Sequence, residues 1–579
     1  MLEKIREVAY KHALTNAVKH SGRADLKAVV SKIAAEIPEA RKNLREYMEY
    51  IKSIVEEVNK LTLEEQLKIV SSNWPEVLEE KTQEFKKELP PLPNAIEGNV
   101  VTRLAPNPDF SLHLGNARPA LLNYWYAVMY KGKMILRFED TDPRLKAPYP
   151  DTYIAIKRDL EWLGVSWSEE YIQSLRLPIF YDIARKLIEK GGAYVDLCSD
   201  KAFKSLRNKG KPCPHRDRSP AENLEEFDKM LEGKYGEGEA VVRVKTDLQH
   251  PDLSVRDWVA FRIIDTSKTP HPVTGEKYIV WPTYNFAAAV DDHLMGVTHI
   301  LRAKEHVTNT IKQRYLYDHM GWKYPETIHF GRLSLEGVVL SKSKTKKLIA
   351  ERGLKSYADP RLGTIQGLRR RGIVREAVWR IIKDVGIKGI DAKISLANLY
   401  AINRVIVDPI ANRYMAVKSP VPVVIRGLRD EVKALIPIHP SRRETYTYTI
   451  TDGARIYLSR EDFNMVKNSV FRLLGMANFE IKGIEEVNGI LHYIAVFHSL
   501  EHDVAKKLNA PIIQWVIEGE YVKSTMLKPI GLDLLEEELL VEKRIVSERV
   551  DSIIQLYRIG FARIDELRED SVVLVFAHE

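Results

Sequence analysis

Cysteine is scarce in this chain: among 579 residues only Cys198 and Cys213 are present. Two cysteines cannot build a disulfide framework, which excludes the small folds that depend on several disulfides. The chain also lacks any run of about 18 apolar residues, so no membrane-spanning helix is expected. Because residues 1–20 lack the apolar core of a signal peptide, the cytosol is the expected compartment.

The composition is that of a globular protein, with 45% apolar and 29% charged residues. A chain of 579 residues is too long for one hydrophobic core. At roughly 150 residues per domain, about three to five domains are expected. The formal net charge of +8 suits a polyanionic partner but does not identify one.

Residues 1–96 are expected to form an N-terminal helical appendage. Their apolar residues recur at spacings of three and four, which is typical of amphipathic helices. No motif with chemistry occurs in this segment, so a plain helical bundle is favoured. Docking of another protein or of tRNA is the functional alternative. The proline-rich stretch ELPPLPNAIEGN near its end indicates a linker.

After this linker the pattern changes to that of an α/β domain. Residues 100–104 and 134–138 are predicted to be short buried strands, with a helix at about 117–129 between them. Strand, helix and strand in this order indicate a parallel sheet. From residue 420 onward, short β-rich runs alternate with turns, which is typical of β-barrels or sandwiches.

A first candidate nucleotide site is the sequence His113-Leu114-Gly115-Asn116, which the pattern places where a loop meets a helix. A helix N-terminus offers free N–H groups and partial positive charge, so it suits a phosphate. Gly115 lets the backbone approach a ligand closely. His113 can donate a hydrogen bond to a phosphate oxygen. Taken alone, such a motif is usually an ordinary loop.

A second candidate lies about 230 residues downstream, in the basic run EGVVLSKSKTKK. A lysine here, Lys342, can neutralise the charge that builds on pyrophosphate as it leaves. Removing an electrostatic donor of this kind costs roughly 3–4 kcal/mol of barrier. Taken alone, the run is better explained as a solvated basic turn.

Together the two motifs resemble the paired signatures of class I aminoacyl-tRNA synthetases in their order and separation. Two departures stand out: Asn116 replaces the second histidine of the first signature, and Val339-Leu340 replaces the opening Lys-Met of the second. The resemblance implies His113 and Lys342 as catalytic residues. The implied ATP-binding residues are His113, Gly115, Asn116, Ser341, Lys342 and Ser343.

The surrounding sequence narrows the family. The runs TRLAPNPDFSLHLGNARPALLN, MILRFEDTDPRL and WPTYNFAAAVDDHLMGVTHILRAKEH resemble glutamyl- and glutaminyl-tRNA synthetases, and the β-rich C-terminus resembles the archaeal and eukaryotic glutamyl type. A multidomain fold with a Rossmann-like core is implied. The expected parts are a catalytic domain in two halves (97–196 and 286–350), an acceptor-binding insertion (197–285), a helical connecting domain (351–410) and two all-β anticodon-binding barrels (411–579).

The same resemblance implies a site for glutamate. Free glutamate carries two carboxylates and one ammonium group, so its site should offer two cations and one anion. Arg103 and Arg302 are the expected carboxylate ligands, Glu139 the ammonium ligand and Tyr284 a hydroxyl donor. Arg302 favours glutamate over glutamine, because a buried arginine that faces a neutral amide lacks its counter-charge.

The implied reaction is the attachment of L-glutamate to tRNA(Glu) through a glutamyl-adenylate, with ATP and Mg²⁺. Bound tRNA is expected to be needed before glutamate is activated. Charging of tRNA(Gln) as well, which would make the enzyme non-discriminating, stays open. A glutaminyl-tRNA synthetase and a non-catalytic tRNA-binding relative are the alternatives.

One further cluster could hold a metal. Some relatives bind zinc near this place through a Cys-x-Cys pair followed by Cys-x-Cys or Cys-x-His. The corresponding side chains here are Asp196, Cys198, Cys213 and His215, which could ligate Zn²⁺ tetrahedrally. A relic site without metal is the alternative. The Asp-Asp-His run at 291–293 is expected to serve a structural, hydrogen-bonding role.

Overall fold

The computed structural model describes residues 2–19, 24–37, 40, 44–62, 65–66, 69–70, 73–74, 89–336 and 356–579. The chain divides into two compact units, Met1–Glu88 and Leu89–Glu579. No helix formed by the described residues is long and apolar enough to cross a membrane.

The first unit is helical, as predicted. The described helices are α1 (Leu2–Lys19), α2 (Leu26–Glu36) and α3 (Leu44–Lys60). Asp25 caps α2, because its carboxylate accepts a hydrogen bond from the Ala28 N–H at 2.8 Å. Apolar residues at helical spacing, such as Ile5, Ala9 and Ile33, are fully buried and form a core within this unit.

The second unit begins with alternating strands and helices. Its strands as far as residue 395 are β1 (Val101–Leu104), β2 (Lys133–Phe138), β3 (Glu169–Ile172), β4 (Ala193–Asp196), β5 (Val241–Val244), β6 (Val259–Ile263), β7 (Val280–Pro282), β8 (His299–Ala303), β9 (Glu326–Phe330), β10 (Leu333–Glu336) and β11 (Ala392–Ser395). Its helices as far as residue 407 are α4 (Leu114–Met129), α5 (Pro150–Trp162), α6 (Leu177–Glu189), α7 (Asp200–Asn208), α8 (Pro220–Leu231), α9 (Tyr284–Leu294), α10 (Val307–Met320), α11 (Ile365–Arg370), α12 (Arg375–Val385) and α13 (Leu396–Val407).

The catalytic core contains the predicted parallel sheet. Strands β1, β2 and β3 pair in parallel in that order, with α4 and α5 as the crossover helices. Strands β8 and β9 form a second parallel pair. Thr298, directly before β8, donates its backbone N–H to the Val101 carbonyl of β1 at 3.0 Å. The amino ends of β1 and β8 are therefore neighbours. Residues 103–104 and 301–303, at their carboxyl ends, line one cavity, and ligands of α/β folds usually bind at that edge.

The segment between the two halves of this sheet is a small α/β layer. Strands β4, β5, β6 and β7 form an antiparallel four-stranded sheet. Aromatic residues, including Phe227, Phe261 and Phe286, are fully buried in the core that this sheet shares with neighbouring helices. These strands are hard to recognise in the sequence because they are short and are separated by two helices, α7 and α8, and by long loops.

The C-terminal part is built mainly of strands. They are β12 (Arg413–Tyr414), β13 (Ala416–Lys418), β14 (Pro420–Arg426), β15 (Val432–Pro437), β16 (Thr445–Ile450), β17 (Arg455–Ser459), β18 (Val470–Leu473), β19 (Asn478–Val487), β20 (Ile490–Ser499), β21 (Ile512–Ile513), β22 (Val516–Ile517), β23 (Tyr521–Ile530), β24 (Asp533–Glu542), β25 (Ile553–Leu556), β26 (Gly560–Leu567) and β27 (Ser571–His578). Two short helices, α14 (Arg460–Val466) and α15 (His502–Lys507), interrupt them.

These strands form two seven-stranded sheets and one separate hairpin, β15–β16. One sheet has the order β12-β25-β26-β27-β23-β24-β13, so its two edges are strands that follow each other in the chain. The other has the order β21-β18-β19-β20-β14-β17-β22, and its edges are again consecutive strands. Each sheet therefore curls until its edges meet, which confirms the predicted barrel-like C-terminus.

Candidate active site

A cavity of about 380 Å³ lies at the carboxyl ends of the parallel strands. Arg103 comes from β1, Glu139 directly follows β2, and Arg302 is the next-to-last residue of β8. Both predicted ligand groups line this one cavity: Arg103, Glu139, Tyr284 and Arg302 for the amino acid, and His113, Gly115 and Asn116 for the nucleotide. A crevice at this edge is the usual ligand site of open α/β sheets.

One end of the cavity, where the nucleotide is predicted to bind, is the start of α4, with His113 at the N-cap position. The Asn116 side-chain carbonyl accepts a hydrogen bond from the His113 backbone N–H at 3.1 Å, so its NH₂ group remains as a donor. Nδ1 of His113 is buried and has no hydrogen-bond partner among the described residues. Burial lowers the pKa of His113 to about 4, so the ring is neutral at pH 7.

Gly115 is required by the position of the His113 ring. A Cβ atom at Gly115 would lie 2.8 Å from Cε1 and 3.0 Å from Nδ1 of His113. We expect Gly115→Ala to raise KM for ATP roughly tenfold, because the ring must leave its place. Global stability should change little, since alanine favours the helix by about 1 kcal/mol. Steady-state kinetics and a thermal melt, with Gly236→Ala as the control, test this; an unchanged KM for ATP would contradict it.

The amino-acid end of the cavity contains a buried cation, Arg302, that is 5% exposed. Its Nη2 donates to Thr310 Oγ1 at 2.6 Å, Gln313 Oε1 at 3.0 Å and Tyr324 OH at 3.1 Å, all of them neutral oxygens. Its Nε has no partner, and no carboxylate among the described residues forms an ion pair with it. A buried guanidinium in this state is suited to an anionic ligand.

Tyr284 and His306 lie beside this guanidinium. The Tyr284 hydroxyl is 3.4 Å from Arg302 Nη1 and 3.5 Å from His306 Nδ1. Burial, assisted by the positive charge of Arg302, lowers the pKa of His306 to about 4. His306 is thus neutral at pH 7 and adds no charge to the cavity.

The other charged groups form a chain of ion pairs. Arg103 Nε donates to Asp292 Oδ1 at 3.0 Å, and Arg137 Nη1 donates to the same oxygen at 2.7 Å. Arg137 Nη2 donates to Glu139 Oε1 at 2.9 Å. Burial by itself would raise the pKa of Asp292, but the two guanidinium groups hold it below its usual value. Burial raises the pKa of Glu139 despite the attraction of Arg137.

The ion-pair chain and Arg302 together lack one negative charge, which a ligand can supply. Within this group of five side chains, three guanidinium groups and two carboxylates leave a single positive charge. Glutamate, with two carboxylates and one ammonium group, carries one net negative charge and restores neutrality. Glutamine is a neutral zwitterion and would leave the excess charge of Arg302 uncompensated.

Arg137 and Asp292 were not among the predicted ligand residues. Arg137 is fully buried in β2, between Leu136 and Phe138. A charged residue inside an otherwise apolar strand is the signal that could have revealed it. Asp292 belongs to the run 291–293, for which a hydrogen-bonding role was expected, and its neighbour Asp291 accepts from Arg176 at 2.9 Å and Gln173 at 3.1 Å.

The second predicted nucleotide motif lies outside the described residues. This applies to Ser341, Lys342 and Ser343, whose roles stay predictions from the sequence. The described chain before them ends with β10, and Leu333 at the start of this strand lines the cavity.

The predicted metal cluster is brought together in the antiparallel sheet region. The ligand atoms of Asp196, Cys198, Cys213 and His215 all lie within 4.8 Å of one another. The two Sγ atoms are 3.4 Å apart, and His215 Nδ1 is 3.2 Å from both Cys213 Sγ and Asp196 Oδ1. Cys213 Sγ is 2.9 Å from Asp196 Oδ1, so several separations are shorter than the roughly 3.3–3.8 Å that zinc bond lengths give. The donor types, two thiols, one imidazole and one carboxylate, are those that bind Zn²⁺.

Comparison with known proteins identifies the family. The family described as tRNA synthetases class I (E and Q), catalytic domain, matches residues 99–408, and the anticodon-binding domain of the same group matches residues 411–497. A protein of Staphylothermus marinus named "Glutamate--tRNA ligase" is 60% identical, over 98% of this chain and 100% of its own.

Two other relatives carry the same name. The protein of Hyperthermus butylicus is 54% identical, over 98% of this chain and 100% of its own. The protein of Pyrobaculum islandicum is 52% identical, over 96% of this chain and 98% of its own. This chain therefore belongs to the class I tRNA synthetases of the glutamyl and glutaminyl group.

Proposed function

We propose that this enzyme attaches L-glutamate to tRNA(Glu) by way of a glutamyl-adenylate, using ATP. The observation that carries the proposal is the buried guanidinium of Arg302, which lines the cavity and is bound only by neutral oxygens among the described residues. The name "Glutamate--tRNA ligase" of the relatives, which extend over nearly the whole chain, supports it.

The first step of the proposed reaction joins glutamate to the nucleotide. An oxygen of the α-carboxylate attacks the α-phosphorus of ATP. The bond between the α-phosphorus and the oxygen that bridges it to the β-phosphate breaks, and pyrophosphate leaves. Glu139 holds the ammonium group, Arg302 binds the side-chain carboxylate, and Arg103 orients the α-carboxylate. The start of α4 with His113 holds the phosphates, and Mg²⁺ that arrives with ATP shields their charge.

In the second step, a ribose hydroxyl of the terminal tRNA adenosine attacks the glutamyl carbonyl carbon, and AMP leaves. Neither step needs a covalent bond to the protein, so catalysis rests on positioning and electrostatics. Lys342 is proposed to stabilise the departing pyrophosphate of the first step.

Glutamate-dependent exchange between ATP and pyrophosphate, measured with tRNA present, tests this function. Exchange with glutamate and none with glutamine is the expected result. Exchange with glutamine instead would identify a glutaminyl-tRNA synthetase, whereas no exchange with either amino acid would favour a tRNA-binding relative without catalysis.

We extend the proposal to tRNA(Gln) as a second acceptor. The amino acid is selected in the cavity at the sheet edge, whereas the anticodon-binding region is separate in the sequence. Selection of glutamate therefore does not by itself exclude a second tRNA. Charging tRNA(Glu) and tRNA(Gln) transcripts side by side with labelled glutamate tests the extension, and charging of tRNA(Glu) alone contradicts it.

We also propose zinc at the cluster of Asp196, Cys198, Cys213 and His215. Arg243 Nε donates to Asp196 Oδ2 at 2.7 Å, which orients the other oxygen toward the thiols and the imidazole. Zinc would crosslink β4 to the loop that carries Cys213 and thereby stabilise the fold.

The purified protein is expected to contain about one zinc ion per chain by elemental analysis. Cys213→Ser should remove most of it and lower the thermal midpoint, because one strong ligand is lost. The control is Lys201→Ser, which changes an exposed residue and leaves the four ligands intact. The proposal would be contradicted if the purified wild-type protein held no zinc and a chelator left its thermal midpoint unchanged.

Two remaining parts of the proposal concern the setting of the enzyme. We propose a cytosolic location, because ATP and tRNA, the substrates of the proposed reaction, are available there. Docking of another protein by the N-terminal helices is tested by affinity capture with residues 1–88 deleted as the comparison.

A further inference from the structure

Asp159 lies outside every motif considered so far, on the last turn of α5, and is 1% exposed. Its Oδ2 accepts a hydrogen bond from Ser111 Oγ at 2.7 Å and another from the Leu112 backbone N–H at 3.0 Å. These two residues directly precede His113. The carboxylate therefore holds the backbone that leads into the nucleotide-binding helix.

The same loop is held from its other side by the segment before α11. Leu112 O accepts from the Ile365 N–H at 2.9 Å, and the Leu114 N–H donates to Gly363 O at 3.2 Å. Gln366 Nε2 donates to Ser111 Oγ at 3.4 Å. Both backbone groups of Leu112 are thus engaged, one by Asp159 and one by Ile365, which leaves the residue before His113 little freedom.

A carboxylate is an unusual choice for this place. Among the described residues no lysine, arginine or histidine forms an ion pair with Asp159, and only hydrogen bonds offset the cost of its burial. Burial raises the pKa of Asp159 to about 6. A neutral acceptor would avoid this cost, but a charged acceptor makes shorter and stronger hydrogen bonds. The charge of Asp159 therefore holds the loop before His113 rigidly in place.

We propose that Asp159 is a positioning residue for ATP, which acts through Ser111 and Leu112 on the placement of His113 and the first turn of α4. This inference rests on the proposed function, because it assigns the nucleotide to that helix start. A displacement of about 1 Å at reacting groups can cost roughly a hundredfold in rate. The glutamate ligands Arg103, Glu139 and Arg302 come from other strands, so glutamate binding should not depend on Asp159.

The test is ATP–pyrophosphate exchange by the full-length enzyme with tRNA, with ATP and glutamate varied separately. Asp159→Ala is expected to raise KM for ATP roughly ten- to a hundredfold and to change KM for glutamate less than about twofold. Asp159→Asn keeps an acceptor oxygen but loses the charge, so it should recover only part of the loss. Glu161→Ala, an exposed carboxylate on the same helix, is the control and should behave as wild type.

Ser111→Ala provides a second measurement if Asp159→Ala fails to fold, because it removes one of the two donors and keeps the carboxylate. It should raise KM for ATP, by less than Asp159→Ala, with KM for glutamate unchanged. Equal increases of both KM values, or a loss of thermal stability with both KM values unchanged, would overturn the inference. No exchange by the wild-type enzyme would overturn the proposed function and this inference together.

Discussion

Replacement of Arg302 by glutamine should lower kcat/KM for glutamate by roughly a thousandfold and change KM for ATP less than about threefold. Arg302 is a buried cation that has only neutral partners among the described residues, including Thr310, Gln313 and Tyr324. Without it the side-chain carboxylate of glutamate enters a buried site with no cation, and leaving a buried charge unpaired costs about 3–5 kcal/mol.

The matched control is Arg314→Gln on α10, because Arg314 is exposed and its guanidinium lies over the Tyr324 ring at 5.4 Å. This variant should keep kcat/KM within about twofold of wild type. Amino-acid activation should be followed at several glutamate and glutamine concentrations. A kcat/KM for glutamate that Arg302→Gln leaves unchanged would show that the carboxylate binds elsewhere.

Much of the fold could be predicted because local patterns coincide with long-range structure. The apolar runs at 100–104 and 134–138 were predicted strands and form β1 and β2. The helix predicted at 117–129 begins earlier, at Leu114, because His113 and Asn116 cap it through a hydrogen bond that a hydrophobic pattern cannot reveal. The strand order of the C-terminal sheets, in which consecutive strands such as β12 and β13 form opposite edges, depends on pairing with distant strands and leaves no local signal.

The candidate site, like the fold, could be predicted only in part from the sequence. Arg103, Glu139 and Arg302 were identified from the family resemblance, and the fold brings them to one cavity because β1, β2 and β8 end at the same edge. Which charge lacks a partner could not be predicted. That property depends on Asp292, which is paired with Arg103 and Arg137 from two other elements and so leaves Arg302 as a cation with neutral neighbours.

Replacement of Asp292 by asparagine should cause the largest loss of stability among the substitutions considered, about 3–5 kcal/mol in the free energy of unfolding. Asp292 is 1% exposed and compensates two buried guanidinium groups, Arg103 and Arg137. Its neutral replacement leaves them close together with only Glu139 as counter-ion. KM for glutamate should also rise at least about tenfold, because Arg103 loses the partner that orients it and Arg137 pulls more strongly on Glu139.

A variant of the neighbouring residue, Asp291, distinguishes an effect on stability from an effect on glutamate binding. Asp291 is also fully buried, but it is paired with Arg176 and Gln173. Asp291→Asn should therefore destabilise the enzyme in denaturant titrations while KM for glutamate stays within about twofold of wild type. If both variants raise KM for glutamate in proportion to their loss of stability, the effect of Asp292 is general unfolding. If only Asp292→Asn raises it, the ion-pair chain sets the geometry of the glutamate site, and added glutamate should stabilise wild type more than this variant.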